Sequence, residues 1–131
     1  MWEKINKQSK ILFHNCLEKK LTVTTAESCT GGMIASSIVS ISGSSAIFKS
    51  SVVTYSNDMK SKILNIPLKL INENGAVSKI IAYTMASNVL DLMDSDLSIA
   101  VTGIAGPDGG SKNKPVGLVH IGIGTKKKNC Y

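Results

Sequence analysis

The sequence predicts an α/β fold, specifically a three-layer α/β/α sandwich around a mostly parallel central sheet. Three short runs rich in β-branched residues, 21–26, 51–55 and 97–102, alternate with segments in which apolar residues recur at helical spacing. Each run leads into a turn rich in serine, asparagine or glycine. Strands that alternate with helices form sheets covered on both faces, and their ligands lie at the carboxyl ends of the strands.

The length and composition predict a single domain over residues 1–131. Hydrophobic residues make up 43% of the chain and charged residues 18%, which is typical of a soluble globular protein. No apolar run approaches the roughly 20 residues of a membrane-spanning helix, and the first residues lack the apolar core of a signal peptide. We therefore expect a cytoplasmic protein that does not contact a membrane.

The positive charge of the chain does not predict a nucleic-acid partner. The net charge is +6, but all 15 basic residues are lysines. Arginine, the usual bidentate reader of guanine and phosphate, is absent, and aromatic residues for base stacking are few. The run of lysines at 126–128 is interpreted as a solvated end of the chain.

The cysteines and histidines predict neither a disulfide framework nor a metal site. Cys16, Cys29 and Cys130 are odd in number and widely spaced, without a Cys-x-x-Cys pair. His14 and His120 stand alone, whereas zinc sites need clustered donors. We expect no metal and no cofactor.

The first half of the chain predicts two helices and two strands. Residues 3–18 carry apolar side chains at helical spacing, and Lys19 and Lys20 suit the end of that helix. A strand over 21–26, a helix over 30–39 and a strand over 51–55 follow, separated by turn-forming serines and glycines.

The second half predicts three helices and two strands. Ser56 and Asn57 supply a cap for a short helix to residue 64, and Pro67 suits the start of another that ends at Asn74. Ser78 caps a longer helix over 79–93. Strands at 97–102 and 116–124 complete the chain, and because no helix follows the last strand, one edge or face of the sheet is expected to be poorly covered.

The first candidate site is the turn between the first strand and the second helix. Three side chains capable of nucleophilic attack, Ser28, Cys29 and Thr30, lie there beside Gly31 and Gly32. Backbone N–H groups at 30–32 are expected to hold a developing oxyanion. Neither histidine follows a strand's carboxyl end, so a serine nucleophile at this turn needs another base.

Lys60 is the alternative base. It lies in the first turn of the helix after the second strand, where the positive end of the helix dipole disfavours an ammonium ion, and partial burial would lower its pKa further. A solvated lysine near a helix cap is the competing interpretation. Tyr55 is expected either to hydrogen-bond Ser28 or Lys60, or to pack as a core aromatic with its hydroxyl in water. Glu27 would either orient the turn through backbone N–H groups or bind substrate.

The second candidate site is the loop 103–111, in which glycine and proline are too frequent for the interior of a helix or strand. Its spacing matches no nucleotide-binding fingerprint. The loop is either a phosphate cradle of backbone N–H groups, helped by Lys112 or Lys114, or a surface loop without function.

Four blocks of the sequence resemble the signature blocks of one family. They are 24–32 (TTAESCTGG), 53–60 (VTYSNDMK), 75–78 (GAVS), and 101–110 (VTGIAGPDGG) with 114–117 (KPVG). In this order they are similar to the CinA C-terminal domain family, the bacterial nicotinamide-nucleotide amidases also known as competence/damage-inducible proteins. The resemblance covers nearly the whole chain.

The resemblance implies hydrolysis of the carboxamide of nicotinamide mononucleotide to nicotinic acid mononucleotide and ammonia, in pyridine-nucleotide recycling. It implies that Ser28 is the nucleophile, Lys60 the general base and Tyr55 their companion. We add the candidates for contacts with the substrate, which lie in the two turns: Glu27, Thr30, Gly31, Gly32, Thr102, Gly103, Gly106, Gly109 and Gly110.

The family's domain continues with a further strand and a closing helix, so the resemblance implies a C-terminally shortened domain. The uncovered sheet edge makes a homo-oligomer the expected assembly. Three alternatives remain at this point. The chain binds a nucleotide or a partner without turnover, or Cys29 is the nucleophile, or the lysines bind nucleic acid.

Overall fold

A four-stranded sheet with helices on both faces forms the protein in the computed structural model, which describes residues 1–126. Cys130 and the lysines at 127 and 128 lie outside the described residues. In chain order the elements are α1 (Trp2–Lys19), β1 (Val23–Glu27), α2 (Met33–Val39), a 3-10 turn (Ser44–Ala46), β2 (Phe48–Val53), α3 (Asn57–Leu64), α4 (Leu68–Asn74), α5 (Lys79–Leu92), β3 (Leu97–Gly103) and β4 (Val119–Thr125).

The strands lie in the order β2-β1-β3-β4. β1 is parallel to both of its neighbours, while β4 runs antiparallel to β3. β1 is buried along its whole length, because strands cover both of its edges and helices cover both of its faces. The predicted mostly parallel sheet is therefore confirmed.

Two separate apolar cores fill the spaces above and below the sheet. On one face, Ala26 of β1 and Ala100 of β3 pack against α3, α4 and α5, whose buried residues include Leu64, Ile71, Ile81, Met85 and Val89. On the other face, Val23 of β1 packs against α1 and α2 through Phe13, Cys16 and Ile38. This arrangement confirms the predicted three layers.

The helix boundaries follow the predicted caps. The Ser78 hydroxyl accepts a hydrogen bond from the Ile81 N–H at the start of α5. Lys20 takes a left-handed conformation, with a φ of 55°, and ends α1. At α3 the cap is Ser56, whose hydroxyl accepts from the Met59 N–H at 3.1 Å, so that Asn57 is the first helical residue.

All four strands differ from their predicted bounds, and β2 and β4 differ most. β1 covers Val23–Glu27 rather than 21–26, and α2 begins at Met33 rather than near residue 30 because the chain first turns through Gly31 and Gly32. β2 is shifted toward the N-terminus and ends at Val53. The Thr54 N–H still donates to the Glu27 carbonyl, whereas the Thr54 and Tyr55 carbonyls both accept from the Lys60 side chain. β4 begins at Val119 rather than at 116. The residues before it form a turn, in which the Leu118 N–H donates to the Pro115 carbonyl and Gly117 has a φ of 92°.

One face of β4 is uncovered, as the sequence predicted for the last strand. Val119, Ile121 and Ile123 point to the side of α1 and α2 but lie beyond those helices, and Ile121 is 66% exposed. On the opposite side Gly122 and Gly124 lie against the backbone of α5. Within residues 1–126, no helix is long and apolar enough to cross a membrane.

The close contact between β4 and α5 generates a stability prediction. A Cβ at Gly122 would overlap the Ala82 carbonyl group, which is backbone and cannot rotate away. We expect Gly122→Ala to lower the free energy of unfolding by about 1–3 kcal/mol in urea titrations. Ile121→Thr, at the adjacent exposed position, is the control and should change it by no more than about 0.5 kcal/mol. Equal effects of the two variants would contradict the packing described here.

Candidate active site

A cavity of about 250 Å³ opens at the carboxyl ends of the parallel strands. It is lined by Ser28, Cys29, Tyr55, Asn57, Lys60, Ala76, Val77, Thr102, Gly103 and Ala105. Eight of these residues come from the three turns that the sequence placed at that end of the sheet, and Ala76 and Val77 come from the connection between α4 and α5. The prediction that the turns after β1, β2 and β3 lie together is confirmed.

Ser28 directly follows β1 and is buried. Its N–H donates to the Val101 carbonyl at 3.0 Å, which extends the hydrogen bonding between β1 and β3 by one residue. The chain then turns sharply, since Gly31 and Gly32 both have positive φ, before α2 begins at Met33. Ser28 is therefore held by the sheet rather than by a free loop.

Lys60 lies in the first turns of α3 and is one of the most completely buried side chains, with 1% of its surface exposed. Its Nζ atom lies 3.0 Å from Ser28 Oγ, 2.8 Å from the Thr54 carbonyl oxygen and 3.3 Å from the Tyr55 carbonyl oxygen. The interpretation of Lys60 as a solvated lysine is wrong. Lys60 is more completely buried than the partial burial considered from the sequence.

Burial lowers the pKa of Lys60 because desolvation disfavours the ammonium ion, and the nearby Cys29 only partly opposes this. No carboxylate forms an ion pair with Lys60 within residues 1–126. The three oxygen neighbours of Nζ accommodate both forms of lysine: an ammonium ion donates to all three, whereas a neutral amine donates to the two carbonyls and can turn its lone pair to the Ser28 hydroxyl. It is the lowered pKa that favours the form that accepts a proton.

Tyr55 contributes to the site through its backbone. Its carbonyl oxygen accepts from Lys60, while its side chain is 76% exposed at the mouth of the cavity. The Tyr55 hydroxyl makes no hydrogen bond to Ser28 or to Lys60, and the ring is not in a core. Both expectations for this side chain are therefore wrong in this structure, because β2 ends two residues earlier and the chain turns outward.

Glu27, the last residue of β1, is completely buried and does not line the cavity. Its Oε1 atom accepts from Thr30 Oγ1 at 2.6 Å, from the Gly32 N–H at 3.2 Å and from the Ile34 N–H at 3.0 Å. Its Oε2 atom accepts from the Ala35 N–H at 2.9 Å and from Thr25 Oγ1 at 3.3 Å. Of the two roles considered for Glu27, orientation of the turn fits this geometry and substrate binding does not.

The N–H groups expected to hold an oxyanion are mostly in use. The Gly31 N–H donates to the Ser28 carbonyl and the Gly32 N–H donates to Glu27, so neither is available. The N–H groups of Cys29 and Thr30 have no oxygen acceptor within the described part of the chain, and both lie near the Cys29 sulfur. The donors available to an oxyanion are thus one and two residues after Ser28, earlier than the sequence suggested.

Cys29 lines the same cavity but lacks a base. Its thiol pKa is raised by burial, which outweighs the favourable N–H groups of Cys29 and Thr30 and the charge of Lys60. Lys60 Nζ hydrogen-bonds Ser28 and has no hydrogen bond to the thiol. The geometry therefore favours Ser28 over Cys29 as the nucleophile.

The loop after β3 contributes only its first residues to the cavity. Thr102 and Gly103 line it, and the Thr102 hydroxyl donates to the Ala76 carbonyl at 2.9 Å. Gly106 and Gly110 instead allow the loop to pack against the Val116 side chain, which a Cβ at either position would hit. Gly106, Gly109 and Gly110 do not line the cavity, so the expected substrate contacts at these three positions have no support in this geometry.

Of the two lysines considered as phosphate ligands in this loop, one already hydrogen-bonds to another part of the protein. Lys114 Nζ donates to the Asn74 carbonyl at 2.9 Å and so binds the C-terminus of α4. Lys112 remains exposed. The loop is therefore fastened to α4, next to the segment that carries Ala76 and Val77.

Four residues of the cavity were not predicted as site residues: Asn57, Ala76, Val77 and Ala105. Asn57 was interpreted only as a helix cap. The segment 75–78 carried a signal, because it is one of the blocks that resemble the family, but small apolar side chains suggest no chemistry by themselves. Within residues 1–126, no three His, Cys, Asp or Glu side chains lie close enough to hold a metal ion.

The buried lysine generates a prediction about stability and pH. Between the lowered pKa of folded Lys60 and its unfolded value near 10.5, the unfolded chain holds a proton that the folded chain has released, so wild-type stability rises with pH. Lys60→Met removes this group. The unfolding free energy of the variant minus that of the wild type should fall across that window, by at most about 1.4 kcal/mol per pH unit.

Urea titrations at a series of pH values measure this difference. Lys62→Met, at an exposed position of the same helix, is the matched control and should give a difference that stays flat. A flat difference for Lys60→Met as well would mean that Lys60 is not desolvated in the folded protein.

Comparisons with known proteins agree with this fold. A family model described as CinA C-terminal domain matches residues 5–131. A CinA-like protein of Endomicrobium trichonymphae is 59% identical over 112 residues, which are 86% of this chain and 26% of that protein. A CinA-like protein of Prochlorococcus marinus is 52% identical over 115 residues, 88% of this chain and 27% of that protein. The chain thus spans about a quarter of the length of these curated relatives.

Solved structures give the same relationship. The competence/damage inducible protein CihA of Agrobacterium tumefaciens superposes with a TM-score of 0.91 at 42% identity, covering 93% of this chain and 74% of that one. A competence-damaged protein (CinA) superfamily member from Escherichia coli gives 0.89 at 34% identity, with coverages of 93% and 71%. With its sheet order, its buried serine and lysine, and these matches, the chain belongs to the CinA C-terminal domain family.

Proposed function

We propose that this chain is an amidohydrolase that converts nicotinamide mononucleotide to nicotinic acid mononucleotide and ammonia through a serine acyl-enzyme. The observation that carries the proposal is the 3.0 Å contact between Ser28 Oγ and Lys60 Nζ at the cavity wall. Family membership supports the choice of substrate, and the lowered pKa of Lys60 supports its role as the base.

In the first step neutral Lys60 takes the proton of Ser28, and Ser28 Oγ attacks the carbon of the carboxamide. The carbonyls of Thr54 and Tyr55 hold the two N–H groups of the amine, so its lone pair is directed at the serine hydroxyl. The ammonium ion that forms keeps its two hydrogen bonds to these carbonyl oxygens, which stabilise its charge, and holds the new proton on the side of Ser28.

The negative charge that develops on the carboxamide oxygen needs N–H donors next to the nucleophile. The N–H groups of Cys29 and Thr30 fill this role, because the following N–H groups already donate within the turn. Lys60 then returns its proton to the amide nitrogen, and ammonia leaves. Water activated by neutral Lys60 cleaves the Ser28 ester and releases the carboxylate product.

The size of the cavity fits the reacting end of the substrate. About 250 Å³ lies just below the roughly 300 Å³ at which pockets for whole drug-sized ligands begin. We therefore assign the cavity to the pyridine carboxamide, with the ribose and phosphate at its open mouth. The exposed Tyr55 ring at that mouth offers a surface on which the pyridine nucleotide can stack.

Ammonia release from nicotinamide mononucleotide tests the proposal. Wild-type chain should turn over, Ser28→Ala should lose at least about a thousandfold in kcat, and Lys60→Met at least about a hundredfold. Cys29→Ala, which changes the neighbouring nucleophile on the same turn, should retain kcat within about threefold, since its thiol has no base.

The controls separate three outcomes. Circular dichroism verifies that each variant is folded. A loss in Cys29→Ala as large as that in Ser28→Ala would assign the reaction to the thiol. A folded wild type that binds the nucleotide in calorimetry without releasing ammonia would leave a binding protein and overturn the amidase.

The pH dependence of the reaction follows from the state of Lys60. Only the neutral amine accepts the serine proton, so kcat/KM should rise with pH through an apparent pKa below the 10.5 of a solvated lysine. The same rise should persist in Cys29→Ala, because the thiol takes no part. A rise that is present in wild type and disappears in Cys29→Ala would instead report the titration of the thiol.

A further inference from the structure

We propose that Glu27 is a positioning residue for the reaction: its carboxylate fixes the turn that carries Ser28 and decides which N–H groups of that turn face the substrate. The inference rests on the proposed function for its substrate and goes beyond it, since Glu27 touches neither the cavity nor Lys60. It acts through Ser28 and through the N–H groups of Cys29 and Thr30.

The first argument is burial together with complete hydrogen bonding. A carboxylate with no exposed surface is stable only where donors replace its water, and Glu27 accepts five hydrogen bonds. Four of the five donors belong to residues 30–35, the turn and first residues of α2. One side chain at the end of β1 therefore fastens the segment that follows it.

The second argument is the missing cap of α2. The residue before the helix is Gly32, which has no side chain and makes no side-chain cap. Glu27 supplies that function from the neighbouring strand, through the N–H groups of Gly32, Ile34 and Ala35. Because Ser28 lies between Glu27 and these donors, the same bonds fix the direction in which Ser28 leaves the sheet.

The third argument is which backbone N–H groups of the turn are already hydrogen-bonded and which are not. Glu27 occupies the N–H groups of Gly32, Ile34 and Ala35, and the Ser28 carbonyl occupies that of Gly31. The Met33 N–H donates to the Thr30 carbonyl. The N–H groups of Cys29 and Thr30 stay without an oxygen acceptor in the described residues and border the cavity wall formed by Cys29. Without the carboxylate, the turn would have competing donors and no single orientation.

Glu27→Gln tests this role because it keeps the shape of the side chain and replaces one acceptor with a donor. The matched control is Thr25→Val, which removes a hydrogen bond to the same carboxylate from the strand side and leaves the turn's donors intact. Thr25→Val removes the Thr25 hydroxyl from both Glu27 Oε2 and Ser51 Oγ. Glu27→Gln removes the hydrogen bonds that one carboxylate oxygen accepts, so both variants should lose stability in urea.

Two readouts separate positioning from stability. We expect Glu27→Gln to lower kcat for ammonia release at least about a hundredfold with KM within about threefold, while Thr25→Val stays within about twofold in both. The rate at which a small alkyl fluorophosphonate labels Ser28, followed by intact mass, should fall at least about tenfold in Glu27→Gln only. This reagent needs an activated serine but not the nucleotide.

Each outcome decides the proposal. Wild-type rates in folded Glu27→Gln, or equal losses in both variants, would overturn it. If wild-type Ser28 is labelled but releases no ammonia, the proposed substrate is refuted, and the ratio of the labelling rates of wild type and Glu27→Gln still tests the role of Glu27. If the wild type is neither labelled nor active, both the proposed function and the role of Glu27 are overturned. If Glu27→Gln does not fold, Thr30→Val decides: a labelling rate at least about threefold lower supports the role of the carboxylate, and an unchanged rate overturns it.

Discussion

The desolvated amine of Lys60 is the constraint on which the site depends. A buried lysine without a carboxylate partner needs other groups to replace its water, and the carbonyls of Thr54 and Tyr55 do so. The Thr54 N–H makes the last hydrogen bond to β1, after which the chain leaves the sheet and turns into the Ser56 cap of α3. The third neighbour of Nζ is Ser28 Oγ. Lys60 therefore links the residue that follows β1 to the two residues that follow β2.

The features that the sequence predicted are those with local causes. A β-branched run followed by glycines indicates a strand, a turn and a helix, and serines at 56 and 78 indicate helix starts. The sequence indicates Lys60 as a candidate base because the helix dipole disfavours a lysine at a helix N-terminus. That interaction depends only on residues close to Lys60 in the chain. Resemblance to the family added the choice of substrate, which local physics does not provide.

The features that the sequence did not predict depend on contacts between distant segments. The pattern places Glu27 at the end of a strand but does not show that four donors of the following turn converge on it. Likewise, Gly106 and Gly110 suggest a ligand cradle, yet they accommodate Val116, which lies several residues further along the loop. Tyr55 follows a strand, but the direction of its ring depends on where β2 stops pairing with β1.

The choice between two adjacent nucleophiles shows how far geometry outweighs intrinsic reactivity. A thiol is the stronger acid and the better nucleophile in water, so residue type alone would favour Cys29 over Ser28. In this fold the thiol lies close to Gly103, where a Cβ would come within 3.0 Å of its sulfur, and burial raises its pKa. The serine instead follows directly from the sheet, and its Oγ atom lies 3.0 Å from Lys60 Nζ. Since Glu27 binds the turn that carries both side chains, the positioning role proposed above makes this carboxylate, which does not line the cavity, responsible for the choice between them.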